Sequence, residues 1–596
     1  MAQLKLIATS DLHGELRDFD YARGRNDPTR GLSRAAGLID RLRGEADASV
    51  LVDSGDFLFG RPYADLPDGG AGAVIEAMDS VGYDVVTIGN HEFDMGLPVL
   101  ERALETAQMA VVSASLVRRS DGALWRPTCT MIERELPEGT IRIGVTGVLP
   151  PTAVPAPVVL ERAGLDLLCA ETALRRAVAE LREQGADIVV ALCHEGVSRR
   201  NGGAVIEPLA RIEGIDAIVL GHLHDVFPGP NGPVSDTINP SRGSVCGVPT
   251  VMPGFRGQYV GCIDLNVRRT EGRWRVCAAQ VDVHPVLPAG SQRSRPNALP
   301  VLRASQAAHA TALRLSREVV GMSEQPLHTF FSYLGICRAT HLSAEAKRTT
   351  IRAAIAAQGS DTPVVGLAAP ILSGGYGGPW DYVDIVPGPV TRGDVQRLAP
   401  YADNIVGVRT RCADLKLWLE RSVSVFQRII PGEHAMRLLD PSFPPTCFDL
   451  PAGASFEIDL SQQALFDAGG VRLAEGPGRI RNLKVAGREV EDGDAVVIAT
   501  THHRRSGGGQ FPIPEGSWVE TGLRIDRAIE ALLATEPHME ATRTFRFAPL
   551  PNARAVFATS PRANALRGDA PFPDAMWLQL NDEGFQELIV PLDTTG

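Results

Sequence analysis

The sequence predicts an α/β layered domain followed by a second, α+β domain. In the first half, short β-rich runs alternate with stretches of helical period, the pattern of a layered sheet covered by helices. Near the middle, the Pro- and polar-rich passage Pro288–Pro300 (PAGSQRSRPNALP) breaks that alternation. Beyond about Gly321 the text becomes helix-rich and then gives isolated strands. At 596 residues the chain also exceeds what one hydrophobic core supports.

The strand-like runs of the first half are Leu4–Thr9, Val50–Val52, Val85–Ile88, Ile188–Leu192 and Ile218–Leu220. Between them, Leu32–Arg43, Leu97–Ala107 and Ala173–Gln184 carry apolar residues at helical spacing and are expected to cover the sheet. Val301–Glu318 reads as one long Ala/Leu/Arg helix after the Pro-rich passage. In the second half, strands are expected at Asn404–Arg411, Ser455–Leu460, Ile480–Val485 and Ala495–Thr500. After about Ala541 the sequence is loop-rich, with strand-like ends at Ala555–Ala558 and Glu587–Pro591. The expected organisation is therefore a domain over 1–287, a linker and bridging helix over 288–320, and a second domain with a packed tail over 321–596.

Composition narrows the partners. With 44% hydrophobic and 22% charged residues and no run near the roughly 18 apolar residues of a membrane helix, a soluble globular protein is expected. A net charge of −12 disfavours a long nucleic-acid surface but suits a small anion held by metal ions. Nine cysteines without a CxxC pair read as reduced thiols, and the opening MAQLKLIATS carries no secretory pattern, so the cytoplasm is the expected compartment.

The chemistry lies at the ends of the β-like runs. Five of them end in ligand-type residues: Asp11 and His13, Asp56, Asn90 with His91, His194, and His222 with His224. The carboxyl ends of strands in an open α/β sheet form its ligand crevice, so these ends are expected to converge. The i, i+2 spacing of Asp11/His13 and of His222/His224 lets each pair chelate from an extended strand end. Glycines at 55, 89 and 221 precede ligands and allow close backbone approach. Three oxygen donors and four imidazoles suit borderline divalent ions such as Zn, Mn, Fe or Co. Seven ligands exceed one tetrahedral site and fit two ions about 3.5 to 4 Å apart that share a carboxylate.

These motifs, DLHG, GDFLFG, GNHEFDMG, CHEG and GHLH in that order, resemble the series of calcineurin-like metallophosphatases. The resemblance implies a four-layer α/β/β/α domain. It also implies that Asp11, His13 and His224 hold one ion, that Asn90, His194 and His222 hold the other, and that Asp56 bridges them. His91 would then meet the phosphate or protonate the leaving alkoxide, with Asp94 orienting it. The implied reaction is in-line displacement at phosphorus by a metal-bound hydroxide. Cys193, beside His194, reads as packing.

GHLHDVFPG and CGVPTVMPGFRG resemble the 2',3'-cyclic-nucleotide 2'-phosphodiesterase/3'-nucleotidase branch of the bacterial 5'-nucleotidase family. LAAPILSGGYGG, CFDLPAGASFEIDLSQ and RIRNLKVAGREVEDGDAVVIATTHHRRSGGG resemble the C-terminal substrate-binding domain of that branch, an α+β 5'-nucleotidase-type domain. In the family two aromatic rings of that domain clasp the nucleobase. Here the corresponding positions fall on His503 and near Thr446–Phe448, where Phe448 is the one good ring. Tyr376 stands where relatives often carry an arginine, and Arg504 or Arg505 would compensate at the substrate. The run Ser506–Gly509 reads as a loop shaping the base pocket rather than a phosphate loop. The expected substrate is a small phosphoester, a 2',3'-cyclic nucleotide or 3'-nucleotide. A 5'-nucleotide, a nucleotide sugar, a base-free diester, or binding without turnover are the alternatives.

Overall fold

The computed structural model describes residues 1–60, 63, 65–154, 157–197, 206–229, 234–288, 296–401, 403–536 and 543–593, without the side chains of 157–159 and 376. Most of the expected linker, residues 289–295, lies outside these. The chain divides into two compact units, Met1–Leu315 and Ser316–Gly596.

In the first unit, β1 (Ala2–Thr9), α1 (Leu32–Arg43), β2 (Ala48–Asp53), α2 (Ala71–Val81), β3 (Val85–Thr87), α3 (Leu97–Leu104) and β4 (Ala110–Val112) follow one another. Strands β1 to β4 lie parallel and adjacent. A second sheet is built on β5 (Cys129–Leu136), β6 (Gly139–Val148), β7 (Ile188–Cys193), β8 (Ala217–Leu220) and β9 (Val248–Pro253), with helix α4 (Ala170–Glu183) between β6 and β7. Strands β6 to β9 are parallel neighbours. The hairpin β10 (Tyr259–Thr270) and β11 (Arg273–Pro285) returns to the first sheet beside β1.

Side-chain alternation turns these sheets into layers. Leu4, Leu6 and Ala8 of β1 pack in one core with Ile143, Val145, Val190, Leu192 and Val219 of the second sheet. Ile7, Leu51 and Val86 point the other way and meet Leu38, Ile39 and Ile75 of α1 and α2. On the far side, Val189, Ala191 and Ile218 meet Leu174, Ala177 and Leu181 of α4. The result is four layers, α/β/β/α. Strands buried on both faces carry continuous apolar runs, which is why they read so clearly in the sequence. Cys193 belongs to the outer core under α4, where burial pushes its thiol well above the ordinary range. All nine cysteines are free, with Cys169 and Cys277 exposed.

The expected helix Val301–Glu318 is two helices, α5 (Leu299–Ala304) and α6 (Gln306–Ser316), and Val319 already starts a strand. At the junction Ser305 Oγ donates to the Val301 carbonyl at 2.7 Å, and Arg17 Nη2 donates to the Leu302 carbonyl at 2.5 Å. The Val301 carbonyl keeps its helical bond from Ser305 N–H at 3.0 Å, while the Leu302 carbonyl is met by the Arg17 side chain.

In the second unit, α7 (Arg338–Ala356), β12 (Val364–Ala368), β13 (Asn404–Arg411), α8 (Cys412–Val423), β14 (Leu450–Ala452), β15 (Ala495–Thr501) and β16 (Ser517–Arg524) build a mixed sheet in the order β14-β12-β15-β13-β16. The tail is more regular than its loop-rich text suggested. Arg554–Thr559, Met576–Leu580 and Gln586–Pro591 join Met436–Arg437 in a further sheet. Among the described residues, no helix is long and apolar enough to cross a membrane.

Candidate metal centre

The loops leaving β1, β2, β3, β7 and β8 at their carboxyl ends carry the ligand-type side chains. They are tied to one another by backbone: Asp11 N–H donates to Gly55 O and His13 N–H to Asp56 O, each at 2.9 Å. Asp11, His13, Asp56, His222 and His224 all have positive φ, between 48° and 69°. Such backbone is costly for residues with a Cβ and persists where the surroundings over-determine it, most often at functional sites. Gly89 is required by crowding, since an added Cβ would stand 2.2 Å from Asp56 Oδ1 and 2.7 Å from His194 Cε1.

The donors gather into two groups, Asp11/His13/His224 and Asp56/His194/His222. In the first, His224 Nε2 lies 3.4 Å from Asp11 Oδ1, and the Nε2 atoms of His13 and His224 are 3.0 Å apart. In the second, His194 Nε2 lies 3.1 Å from Asp56 Oδ2. Asn90 Oδ1 joins this group, 3.2 Å from His194 Nε2 and 3.0 Å from His222 Nδ1. The Ser54 carbonyl accepts from His194 Nδ1 at 2.8 Å, which leaves Nε2 to present its lone pair inward.

The electrostatics fit a cation. Asp11 and Asp56 are 0% and 1% exposed, and among the described residues no lysine or arginine pairs with either. Buried carboxylates need compensating charge. Burial, reinforced by His91 and His224, pushes His13 down to about 3. Burial and the neighbouring His194 push His222 down to about 4. Both imidazoles are thereby kept neutral, the form that binds metal. Although burial opposes it, His194, His91 and His13 hold Asp56 well below the usual carboxylate range, so Asp56 is felt by histidines of both groups.

His91 lies beside the first group, its ring 5.3 Å from that of His13. Its Nδ1 pairs with Asp94 Oδ2 at 2.9 Å, and its backbone N–H donates to Asp56 Oδ1 at 2.8 Å.

Two contributors escaped the sequence reading. Glu92, fully buried, accepts backbone N–H bonds from Asp56 (2.8 Å), Leu58 (3.0 Å) and Gly89 (2.7 Å), stapling two ligand loops together. Phe255 stacks on His224 with ring centres 4.7 Å apart and planes 4° from parallel. Both stand inside motifs already singled out, GNHEFDMG and PGFRG, but only the third dimension gives them partners.

The expected substrate residues of the second unit fare differently. Phe448 is 0% exposed, stacked on Tyr333 and packed edge-on by Phe426 and Phe545, so it has no face for a base. Its β-strand neighbourhood makes it core. Arg504 is likewise buried. Its guanidinium binds both oxygens of Asp449 (3.1 and 2.8 Å) and the Gly508 carbonyl (3.0 Å), and it also donates to the Thr446 carbonyl, so its donors are committed. Arg505 pairs with Glu520 and lies over Trp518. His503 is exposed, its backbone N–H held by Asp403 Oδ2 at 2.9 Å. Tyr376 sits in the short turn Gly375–Gly377, and its side chain lies outside the described residues.

Comparison with known proteins gives a consistent answer. Residues 4–226 match the calcineurin-like phosphoesterase family, and residues 319–516 match the 5'-nucleotidase C-terminal domain. The chain is 30% identical over 538 residues to the 2',3'-cyclic-nucleotide 2'-phosphodiesterase/3'-nucleotidase of Yersinia enterocolitica, covering 85% of this chain and 81% of that protein. It is 27% identical over 585 residues to the trifunctional nucleotide phosphoesterase protein YfkN of Bacillus subtilis, covering 94% of this chain but 40% of that protein's length. The crystal structure of a putative 5'-nucleotidase from Staphylococcus aureus shares the fold, with a TM-score of 0.69 at 19% identity, covering 92% of this chain and all of that one.

Proposed function

The chain belongs to the calcineurin-like phosphoesterases that carry a 5'-nucleotidase C-terminal domain, and on that footing we propose that it hydrolyses 2',3'-cyclic nucleotides and 3'-nucleotides at a dinuclear metal centre. The observation that carries this reading is the pair of converging donor groups around two buried carboxylates that no lysine or arginine neutralises among the described residues. Asp11, His13 and His224 would hold one divalent ion and Asn90, His194 and His222 the other, with the Asp56 carboxylate available to share. When bound, two such ions supply Lewis-acid activation of the phosphoryl group and of water.

The chain's own residues do the rest. Ser54, through its carbonyl, fixes the His194 tautomer. Glu92 keeps the Asp56 and Gly89 loops at a fixed separation. Although burial opposes it, Asp94, which accepts from Nδ1, and Asp56 raise His91 to about 10, so the ring is an imidazolium whose second proton, on Nε2, is the one delivered to the leaving alkoxide. In the second unit, exposed His503 is the remaining candidate for contact with the base.

The test is an activity profile of the manganese-supplemented protein over 2',3'-cyclic AMP, 3'-AMP, 5'-AMP and base-free bis-p-nitrophenyl phosphate, each with and without chelator. Chelator-sensitive turnover with the first two preferred is expected. Preference for the base-free ester would overturn the nucleotide reading, and chelator-insensitive turnover the metal reading.

A further inference from the structure

We infer that Arg256 is an anion-binding residue of the metal centre that favours a doubly charged phosphomonoester over a singly charged phosphodiester. The inference rests on the metal-centred reading above and concerns a side chain to which that reading gives no task.

The loop Pro253-Gly254-Phe255-Arg256-Gly257 leaves the carboxyl end of β9, the parallel neighbour of β8, and therefore emerges at the same sheet edge as His222 and His224. Its backbone is bound to the first donor group. Arg256 N–H donates to the Asp11 carbonyl at 2.8 Å, and the Arg256 carbonyl accepts from Gly31 N–H at 2.9 Å. The neighbouring Phe255 ring lies flat on His224, and the Arg256 guanidinium carbon lies 5.3 Å from the centre of that ring. The charge is thus separated from a metal-ligand imidazole by one aromatic contact.

Two features set this arginine apart from its neighbours. It holds a left-handed backbone, φ 54°, which glycine adopts freely and arginine does not. Its guanidinium also forms no hydrogen bond and no salt bridge within 4 Å among the described residues, although the residue is half-buried. Nearby arginines are all engaged: Arg17 with Ser305 and Leu302, Arg30 with Asp27, and Arg34 with Asp18. Glu15, which feels Arg256, is already approached by Arg30 at 3.7 Å. A strained, half-buried cation whose five donors are unspent, next to a centre that binds phosphate, is positioned for a phosphate oxygen. A phosphomonoester carries about twice the charge of a diester near neutral pH, so the attraction discriminates between them.

The experiment uses the full chain loaded with manganese and compares R256G, R256Q and R256K on p-nitrophenyl phosphate and bis-p-nitrophenyl phosphate. Glycine relieves the positive φ, so R256G melts no lower than wild type, which separates loss of the side chain from loss of the fold. In R256G and R256Q the monoester-to-diester ratio of kcat/KM falls by about tenfold or more, mainly through the monoester KM, and R256K recovers much of it. Independently of turnover, calorimetry shows inorganic phosphate binding to the loaded protein weakened by about tenfold in R256Q. Equal loss on both esters, lysine no better than glutamine, or undiminished phosphate binding would overturn the assignment. A wild-type protein that turns over neither ester yet binds phosphate through Arg256 would instead sink the functional reading and leave this one standing.

Discussion

Two buried carboxylates, one in each unit, have opposite meanings. Asp449 in the second unit is 2% exposed and fully answered by the protein: Arg504 meets both its oxygens and Trp418 Nε1 donates to it at 2.9 Å. Asp56 in the first unit is 1% exposed and is faced by imidazoles alone among its salt-bridge partners. Residue type and burial are the same. What differs is whether the protein itself neutralises the charge, and that difference separates a scaffold from a site. Charges left for something else to neutralise mark the place where a cation belongs.

The strongest way to break this contrast is Asp56→Asn. The amide keeps the shape, including an oxygen to accept from His91 N–H, but removes the charge that holds the ions. Loss of bound metal is expected, with turnover down on the order of 10³-fold or more, the several kcal/mol that Lewis-acid stabilisation contributes. Elemental analysis showing the full metal content in the variant would refute the site.

The reciprocal change is Arg504→Ala. It strands Asp449 in the core and should cost about 3 to 5 kcal/mol of stability, read by denaturant unfolding, while metal content stays at the wild-type level. Arg504→Lys should recover little, because one ammonium cannot span both Asp449 oxygens and the Thr446 and Gly508 carbonyls. Full stability with a raised KM would instead return Arg504 to the substrate.

The uneven legibility of the two units has a physical origin. Strands β1, β2, β7 and β8 are short, apolar on both faces and followed at once by ligand residues, so chemistry and secondary structure share one local signal. The left-handed backbone at Asp11 or His222 leaves no such trace, since it is imposed by contacts between distant loops. Phe448 was misleading for a related reason: a ring offered to a base and a ring in a core look alike until burial is known. At the break near Ser305, the Leu302 carbonyl accepts from Arg17, a residue far away in sequence. Local pattern carried the first unit's candidate ligands, and long-range contact decided the positive backbone angles, the burial of Phe448 and the break at Ser305.

The smallest expected effect bears on what the second unit still offers a substrate. His503 is exposed, and its ring lies so close over Gly508 that a Cβ there would stand 2.1 Å from Nε2. One face is therefore supported by bare backbone. A ring so held can stack on a base, which is worth about 1 to 3 kcal/mol for full aromatic platforms, and the small imidazole belongs at the low end. His503→Ala should thus raise KM for 3'-AMP by about fivefold, leave kcat nearly as it was, and not affect bis-p-nitrophenyl phosphate, which has no base to stack. His503→Phe should restore or improve the nucleotide KM. If both variants changed the base-free ester as much as the nucleotide, the residue would be shaping its loop instead, as Arg504 does, and the second unit would hold no stacking position among those read from the sequence.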